Sequence, residues 1–231
     1  MIDVVSSLLF ASIGLGAVLA LLAKGTLLCL LGVSVASECA DMPAIVRHRI
    51  ALGTVSCLAA LPFLAAVLAS WDLPILPRDA KSWSTEHSLS GSLLISVYVS
   101  VAVILLLRLC IDVLGIAKLS GRARNVDTAA QLSPDLDHPR GSTPVKYSDE
   151  IRAPLTWGWL RPQVLMPESA SNWNAEDLAM VLQHELAHVQ RMDWAGHLLA
   201  RCVHAIYWPV PGIRVLLRQL SLAAEQACDD R

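Results

Sequence analysis

Hydrophobic and polar positions fall into two regimes along this chain. Residues 4–23, 50–70 and 88–107 each run without a charged side chain. Each run is about the twenty residues that a helix needs to cross the hydrocarbon of a bilayer. A backbone in lipid must satisfy its own N–H and C=O groups, so these stretches are expected to be three transmembrane helices, with Pro62 at most kinking the second. Apolar character resumes after Lys24 and lasts to Ala36, so the first helix can slide along the sequence or continue as an interfacial segment.

From residue 118 the pattern changes. Residues 118–143 are rich in Gly, Ser, Pro, Asp and Arg, with turn signals at Ser133-Pro134 and at His138-Pro139-Arg140-Gly141, and read as a polar connector. Beyond it, Pro144 to Ser148 and Gln163 to Met166 are strand-like, punctuated by Pro154, Gly158, Pro162 and Pro167, which predicts a small sheet. Leu178, Met180, Val181, Leu182, Leu186, Ala187 and Val189 then mark an amphipathic helix, capped from within Asn172 to Asp177 and running to about Arg191. A second helical pattern passes through Val215, Leu216, Leu217, Leu220, Leu222 and Ala223 to Glu225. The expected organisation is a membrane region over 1–117, the connector, and a domain over 144–231.

Composition agrees with a lipid-facing half: 55% of residues are hydrophobic and the mean hydropathy is +0.52. A formal net charge of -2 offers no basic face, so direct nucleic-acid binding is not expected. The six cysteines show no paired short spacing and read as structural thiols. The head Met1-Ile2-Asp3 lacks a lysine or arginine, which argues against a cleavable signal peptide. Lys24, Arg47 and Arg49 lie between the first two spans and Arg108, Lys118, Arg122 and Arg124 follow the third, whereas the loop between spans two and three has only Arg78 and Lys81. Because basic flanks resist translocation, the amino terminus is expected outside and everything after about residue 117 in the cytoplasm. Arg108 and Asp112, four apart, read as a boundary anchor at the inner end of the third helix.

The chemistry lies in His184-Glu185-Leu186-Ala187-His188. Histidines four apart on a helix project from one face, one turn apart, and both can reach a single tetrahedral zinc. Glu185 stands beside the first, where it can hold a water and remove its proton. A catalytic zinc needs a third protein ligand, which has to come from elsewhere. Glu225 can supply it, while Asp229, one turn further on, can accept the second N–H of a ligating histidine. His197 and His204, seven apart, read as packing or interface residues, and Tyr207 receives no role.

The string Ala153-Pro154-Leu155-Thr156-Trp157-Gly158-Trp159-Leu160-Arg161-Pro162-Gln163-Val164-Leu165-Met166-Pro167, then H-E-L-A-H, Arg191-x-Asp193 and Glu225-x-x-Cys228-Asp229, resembles the BlaR/MecR-type membrane metallopeptidases. The resemblance spans about 153–229 and agrees with three preceding spans. It implies an α-helical membrane anchor joined to an α+β zincin-like domain of the gluzincin type, acting as a zinc metalloendopeptidase. His184, His188 and Glu225 would bind one zinc per chain, and Glu185 would be the catalytic base and acid. Asp193 and Asp229 would support the ligands from behind, with a plain helix-ending role open for Asp193. Trp157, Gly158 and the run Gln163, Val164, Leu165 and Met166 would border a cleft where a peptide adds as an extended strand.

The implied role is a sensor-transducer in the bacterial inner membrane that responds to a cell-wall antibiotic by cytoplasmic proteolysis of itself or of a repressor. The chain ends at Arg231, just past Asp229, which leads to the expectation of a fragment, or of a short relative without the sensor domain. Two alternatives stand beside this reading. A membrane quality-control or prenyl-protein-processing zinc protease also uses H-E-x-x-H, and a non-catalytic receptor or scaffold could keep the metal for shape.

Overall fold

The computed structural model describes residues 2–69, 88–128 and 143–229. Three long helices come first: α1 (Ile2–Glu38), α2 (Ala44–Ala69) and α3 (Ser88–Arg122). The strands β1 (Arg124–Thr128), β2 (Pro144–Ser148), β3 (Leu155–Trp157) and β4 (Gln163–Pro167) follow. After a 3-10 turn over Glu168–Asn172 come α4 (Ala175–Arg191), α5 (Asp193–Ile206) and α6 (Ile213–Asp229).

Stretches of the first three helices, Leu15–Glu38, Ala44–Ala65 and Gly91–Arg122, are long and apolar enough to cross a membrane. Their outer faces carry Leu27, Leu31, Phe63, Leu93, Ile104 and Ile111, all exposed, an apolar surface that lipid solvates and water does not. Polar side chains on these helices turn back to their own backbone, as Thr26 Oγ1 donates to Leu22 O and Thr54 Oγ1 to Ile50 O. α1 runs unbroken through Lys24 to Glu38, so the stretch after Lys24 continues the helix rather than forming a separate interfacial segment. Gly32 lets α1 and α2 cross closely, because a Cβ there would overlap the Thr54 side chain. The predicted outer loop 71–87 lies outside the described residues.

The sheet has the order β1-β2-β4-β3, with β1 antiparallel to β2, β2 parallel to β4, and β3 antiparallel to β4. Both strand-like stretches of the sequence are strands, β2 and β4. The connector reading fails for its first part: residues 118–122 complete α3, and Arg124–Thr128 pair with β2. Composition favoured a loop there, but β2 offers a free edge, and cross-strand pairing outweighs local propensity. Residues 129–142 lie outside the described residues.

A division of the chain near residue 117 does not follow the packing either. One core joins Cys29 of α1, Ala51, Val55 and Leu58 of α2, Ala200 and Val203 of α5, Tyr207, and Leu216 and Leu220 of α6. Tyr98 of α3 donates a 2.6 Å hydrogen bond to Ile206 O at the end of α5, and its ring stacks on Trp208. Asp112 pairs with Arg201 of α5 at 3.2 Å, tying α3 to α5. A second core, of Val145, Tyr147, Val164, Met166, Leu182, Leu186 and Val189, fixes the sheet to α4.

Candidate active site

The helix that carries the two histidines is well bounded. Asn174 caps α4, its side chain accepting from Asp177 N at 2.7 Å, and Glu176 and Asp177 place negative charge in the first turn. Leu182, Leu186 and Val189 bury one face against the sheet, which directs His184 and His188 toward α6. The helix stops at Met192, which adopts the left-handed conformation with φ 57° and ψ 36°, an uncommon state for a side-chain-bearing residue. That reversal starts α5 at Asp193 and swings its carboxylate back over the last turn of α4.

Both imidazoles are held between carboxylates. His188 Nδ1 lies 2.7 Å from Asp193 Oδ2, and His184 Nδ1 lies 3.3 Å from Asp229 Oδ1. Their Nε2 atoms face Glu225 Oε2, at 3.6 Å from His184 and 3.8 Å from His188. Asp193 is itself anchored by Arg191, whose Nη2 donates to Oδ2 at 2.6 Å and whose Nε donates to Oδ1 at 3.3 Å. The same guanidinium reaches across to α6, donating to Ala224 O at 2.9 Å, Ala227 O at 3.1 Å and Cys228 Sγ at 2.7 Å. Arg191 therefore registers α4, α5 and α6 about the site.

These contacts shape the charges. Burial disfavours the charged form of His188, but the hydrogen bonds to Asp193 and Cys228 outweigh it and push its pKa up to about 10. Burial would raise the Asp193 carboxyl, yet the bonds to His188 and Arg191 hold it below its usual value. His197 moves the other way, its pKa lowered chiefly by burial.

The cleft beside the histidines has a volume of about 360 Å³ and is lined by Pro154, Leu155, Thr156, His184, Glu185, His188, Asp193, Trp194, His197 and Glu225. Glu185 is buried, and the Thr156 hydroxyl donates to its Oε2 at 2.7 Å. Thr156 belongs to β3, the outer strand of the sheet, so this edge rather than any inner strand borders the cleft.

His184, Glu185, His188, Asp193, Glu225 and Asp229 thus come together. The cleft residues expected from sequence only partly do. Val164, Leu165 and Met166 are fully buried in β4, a strand paired on both sides, and Gln163 accepts from Ser120 Oγ at 2.9 Å. An added peptide strand finds no hydrogen-bonding edge there. Trp157 ends β3 and stacks edge-on against Trp194, and Gly158 makes the tight turn after it at φ 90°, where a Cβ would meet Arg161 O at 2.8 Å. His197 lines the cleft instead of serving only as packing, while Tyr207 is buried against Gly25 and is not among the lining residues.

Sequence reasoning missed three participants. Thr156 had no spacing rule to connect it with Glu185. Cys228, read as a structural thiol, lies 3.4 Å from His188 Nε2. His48 of α2 is buried with its Nε2 3.5 Å from Asp193 Oδ1; standing between Arg47 and Arg49 near the start of the helix, it carried no spacing signal.

Two imidazoles and a carboxylate form a donor set that zinc accepts. Among the described residues, the cluster with all donor atoms within 4.8 Å of one another is His184, His188 and Cys228. Glu225 faces both Nε2 atoms, whereas the Cys228 sulfur is already the acceptor for Arg191. The residues present therefore fit a metal ion in either arrangement.

The sequence matches the profile of the BlaR1 peptidase M56 family over residues 53–231. The chain belongs to that family. Membership makes it a member of a metallopeptidase family with a membrane-associated helical region. Among curated relatives, the regulatory protein BlaR1 of Bacillus licheniformis is 30% identical over 79 residues, covering 34% of this chain and 13% of that protein. The methicillin resistance mecR1 protein of Staphylococcus aureus is 24% identical over 86 residues, 37% of this chain and 15% of that protein, and that of Staphylococcus epidermidis matches to the same extent. The matched stretches are thus a small part of these family members, well under two thirds of their length.

Proposed function

We propose that this chain is a zinc-dependent endopeptidase of the gluzincin type, in which His184, His188 and Glu225 hold one metal ion and Glu185 transfers protons. The observation that carries the reading is the orientation of the two imidazoles. Both Nε2 atoms face the Glu225 carboxylate while each Nδ1 is taken by a carboxylate of its own, Asp229 or Asp193. Carboxylates behind ligating histidines fix the tautomer and increase basicity at the metal-facing nitrogen.

Zinc bound there would polarise a peptide carbonyl and lower the pKa of a water. Glu185 then accepts the water proton on its carboxylate and returns it to the leaving amine. Thr156 keeps Glu185 in place by donating to Oε2, which leaves Oε1 to carry the proton. A peptide substrate would lie along β3, the free edge, where backbone hydrogen bonds supply register without demanding particular side chains. Trp194 and Leu155 add apolar surface to the cleft.

The similarity to BlaR1 and mecR1 proteins supports a regulatory role: a sensor-transducer in the plasma membrane, acting on itself or on a repressor. The basic residues Arg47 and Arg49 near the start of α2 and Lys118 and Arg122 at the end of α3 favour a cytoplasmic peptidase.

The reading is tested by elemental mass spectrometry of the detergent-purified chain, together with cleavage of a co-expressed repressor or of the chain itself. We expect about one zinc per chain in the wild type and in Glu185→Gln, and none in the His184→Ala, His188→Ala double variant. Cleavage that persists in Glu185→Gln would overturn the assignment of the proton carrier, and a wild type without zinc would overturn the metal site.

A further inference from the structure

His48 is the one histidine of α2, and it stands between Arg47 and Arg49 in the first turns of that helix, where the apolar stretch Ala44–Ala65 begins. Its side chain is 5% exposed and faces Asp193, which is 2% exposed. A buried imidazole is costly unless it meets a polar partner. Here the partner is the Asp193 carboxylate. Oδ1 lies 3.5 Å from His48 Nε2, and Oδ2 lies 2.7 Å from Nδ1 of His188.

The contact is backed by close packing one turn further along both helices. Leu52, four residues after His48, lies over Gly196, three residues after Asp193. A Cβ on Gly196 would come within 3.2 Å of Leu52 Cδ1, so α2 and α5 meet here with little slack. Ala51 and Val55 continue the same seam into the core shared with Ala200 and Val203. A shift or rotation of α2 therefore cannot be absorbed between the helices and must move the Asp193 carboxylate or break its contact with His48.

We infer that His48 is a positioning residue that couples the second apolar helix to the metal site, holding Asp193 so that the His188 ring keeps its metal-facing orientation. The inference rests on the zinc-site reading given above and adds to it a route by which a change in the membrane region reaches the peptidase. Arg191 holds Asp193 from the helix reversal beside it, donating to Oδ2 at 2.6 Å and to Oδ1 at 3.3 Å, and so does not by itself tie the carboxylate to α2. His48 approaches Oδ1 from the opposite helix.

The test is zinc affinity of the full chain in detergent, measured by chelator competition for wild type, His48→Leu, His48→Gln, Asp193→Asn and the His48→Leu, Asp193→Asn double variant. Removing a partner behind a metal ligand typically weakens metal binding on the order of 10- to 100-fold. For His48→Leu, acting one residue further back, we expect about tenfold, with most of it restored in His48→Gln, whose amide keeps a polar group facing Oδ1. In the Asp193→Asn background His48→Leu should add nothing. The thermal midpoint of each chelated variant distinguishes loss of coupling from loss of fold. Unchanged affinity in His48→Leu, or a full additional loss in the double variant, would overturn the inference while leaving the metal site standing. A wild type that takes up no zinc would overturn both.

Discussion

The Thr156 hydroxyl donates to Glu185 Oε2 at 2.7 Å, and the same oxygen lies 3.2 Å from the Glu185 carbonyl. One strand residue thus holds the carboxylate of the residue proposed to carry the proton. A hydrogen bond to a charged group contributes about 1.5–3 kcal/mol. Thr156→Val is expected to lower kcat on the order of 10- to 100-fold, with zinc content and KM little changed. Thr156→Ser, which keeps the donor, should retain most of the rate. A valine variant with full kcat would show that the contact is only structural.

Glu225 and Cys228, one turn apart on α6, compete for the role of third ligand. Glu225 Oε2 faces His184 Nε2 at 3.6 Å and His188 Nε2 at 3.8 Å, whereas the Cys228 sulfur, 3.4 Å from His188 Nε2, accepts from Arg191. The expectation is that Glu225→Ala abolishes stoichiometric zinc and Cys228→Ser keeps it. Cobalt substitution gives an independent reading, since a thiolate ligand produces an intense near-ultraviolet charge-transfer band and a carboxylate does not. That band, lost in Cys228→Ser, would assign the ligand to the cysteine.

Arg191 carries a prediction about architecture. Its guanidinium makes two contacts to Asp193 and three to α6, and its side chain is only 8% exposed. Lysine keeps the charge but cannot fork to five acceptors. Breaking a buried pair of this kind costs about 3–5 kcal/mol, and Arg191→Lys should retain part of that loss. The thermal midpoint should fall, and zinc affinity should fall with it, because Glu225 and Asp229 lose their registration to α4. A stable variant with native zinc affinity would count against the clamp.

Much of this was legible in the sequence because it depends on spacing along one element. Charge-free runs of about twenty residues mark the apolar helices, and two histidines four apart share a helix face wherever the helix lies. The Arg191-x-Asp193 pair was visible only as a motif. Its purpose depends on Met192 in the left-handed conformation, a reversal that no glycine or asparagine announces. Thr156, His48 and Cys228 reach the site through sheet order and helix packing, and such long-range contacts leave no periodic trace. For the same reason Gln163 to Met166 looked like a cleft edge, when the edge strand beside the cleft is β3.

The shifted titration of His188 predicts how metal binding depends on pH. Its pKa is raised from an ordinary 6.5 to about 10, so at neutral pH a metal entering at Nε2 must displace a proton. Zinc affinity should therefore rise with pH through the neutral range and level off near that raised value. The fold of chelated protein follows the opposite course. A raised histidine pKa adds stability that is complete below the ordinary value and lost as pH climbs through the raised one. Zinc-loaded and chelated chains are thus expected to diverge in thermal midpoint between neutral pH and about 10. Calorimetry in buffers of different ionisation enthalpy should detect release of the His188 proton on zinc binding. In Asp193→Asn, which removes the main group holding that proton, the release at neutral pH should shrink. An equal proton count in wild type and Asp193→Asn would mean that the carboxylate does not set the protonation of this histidine.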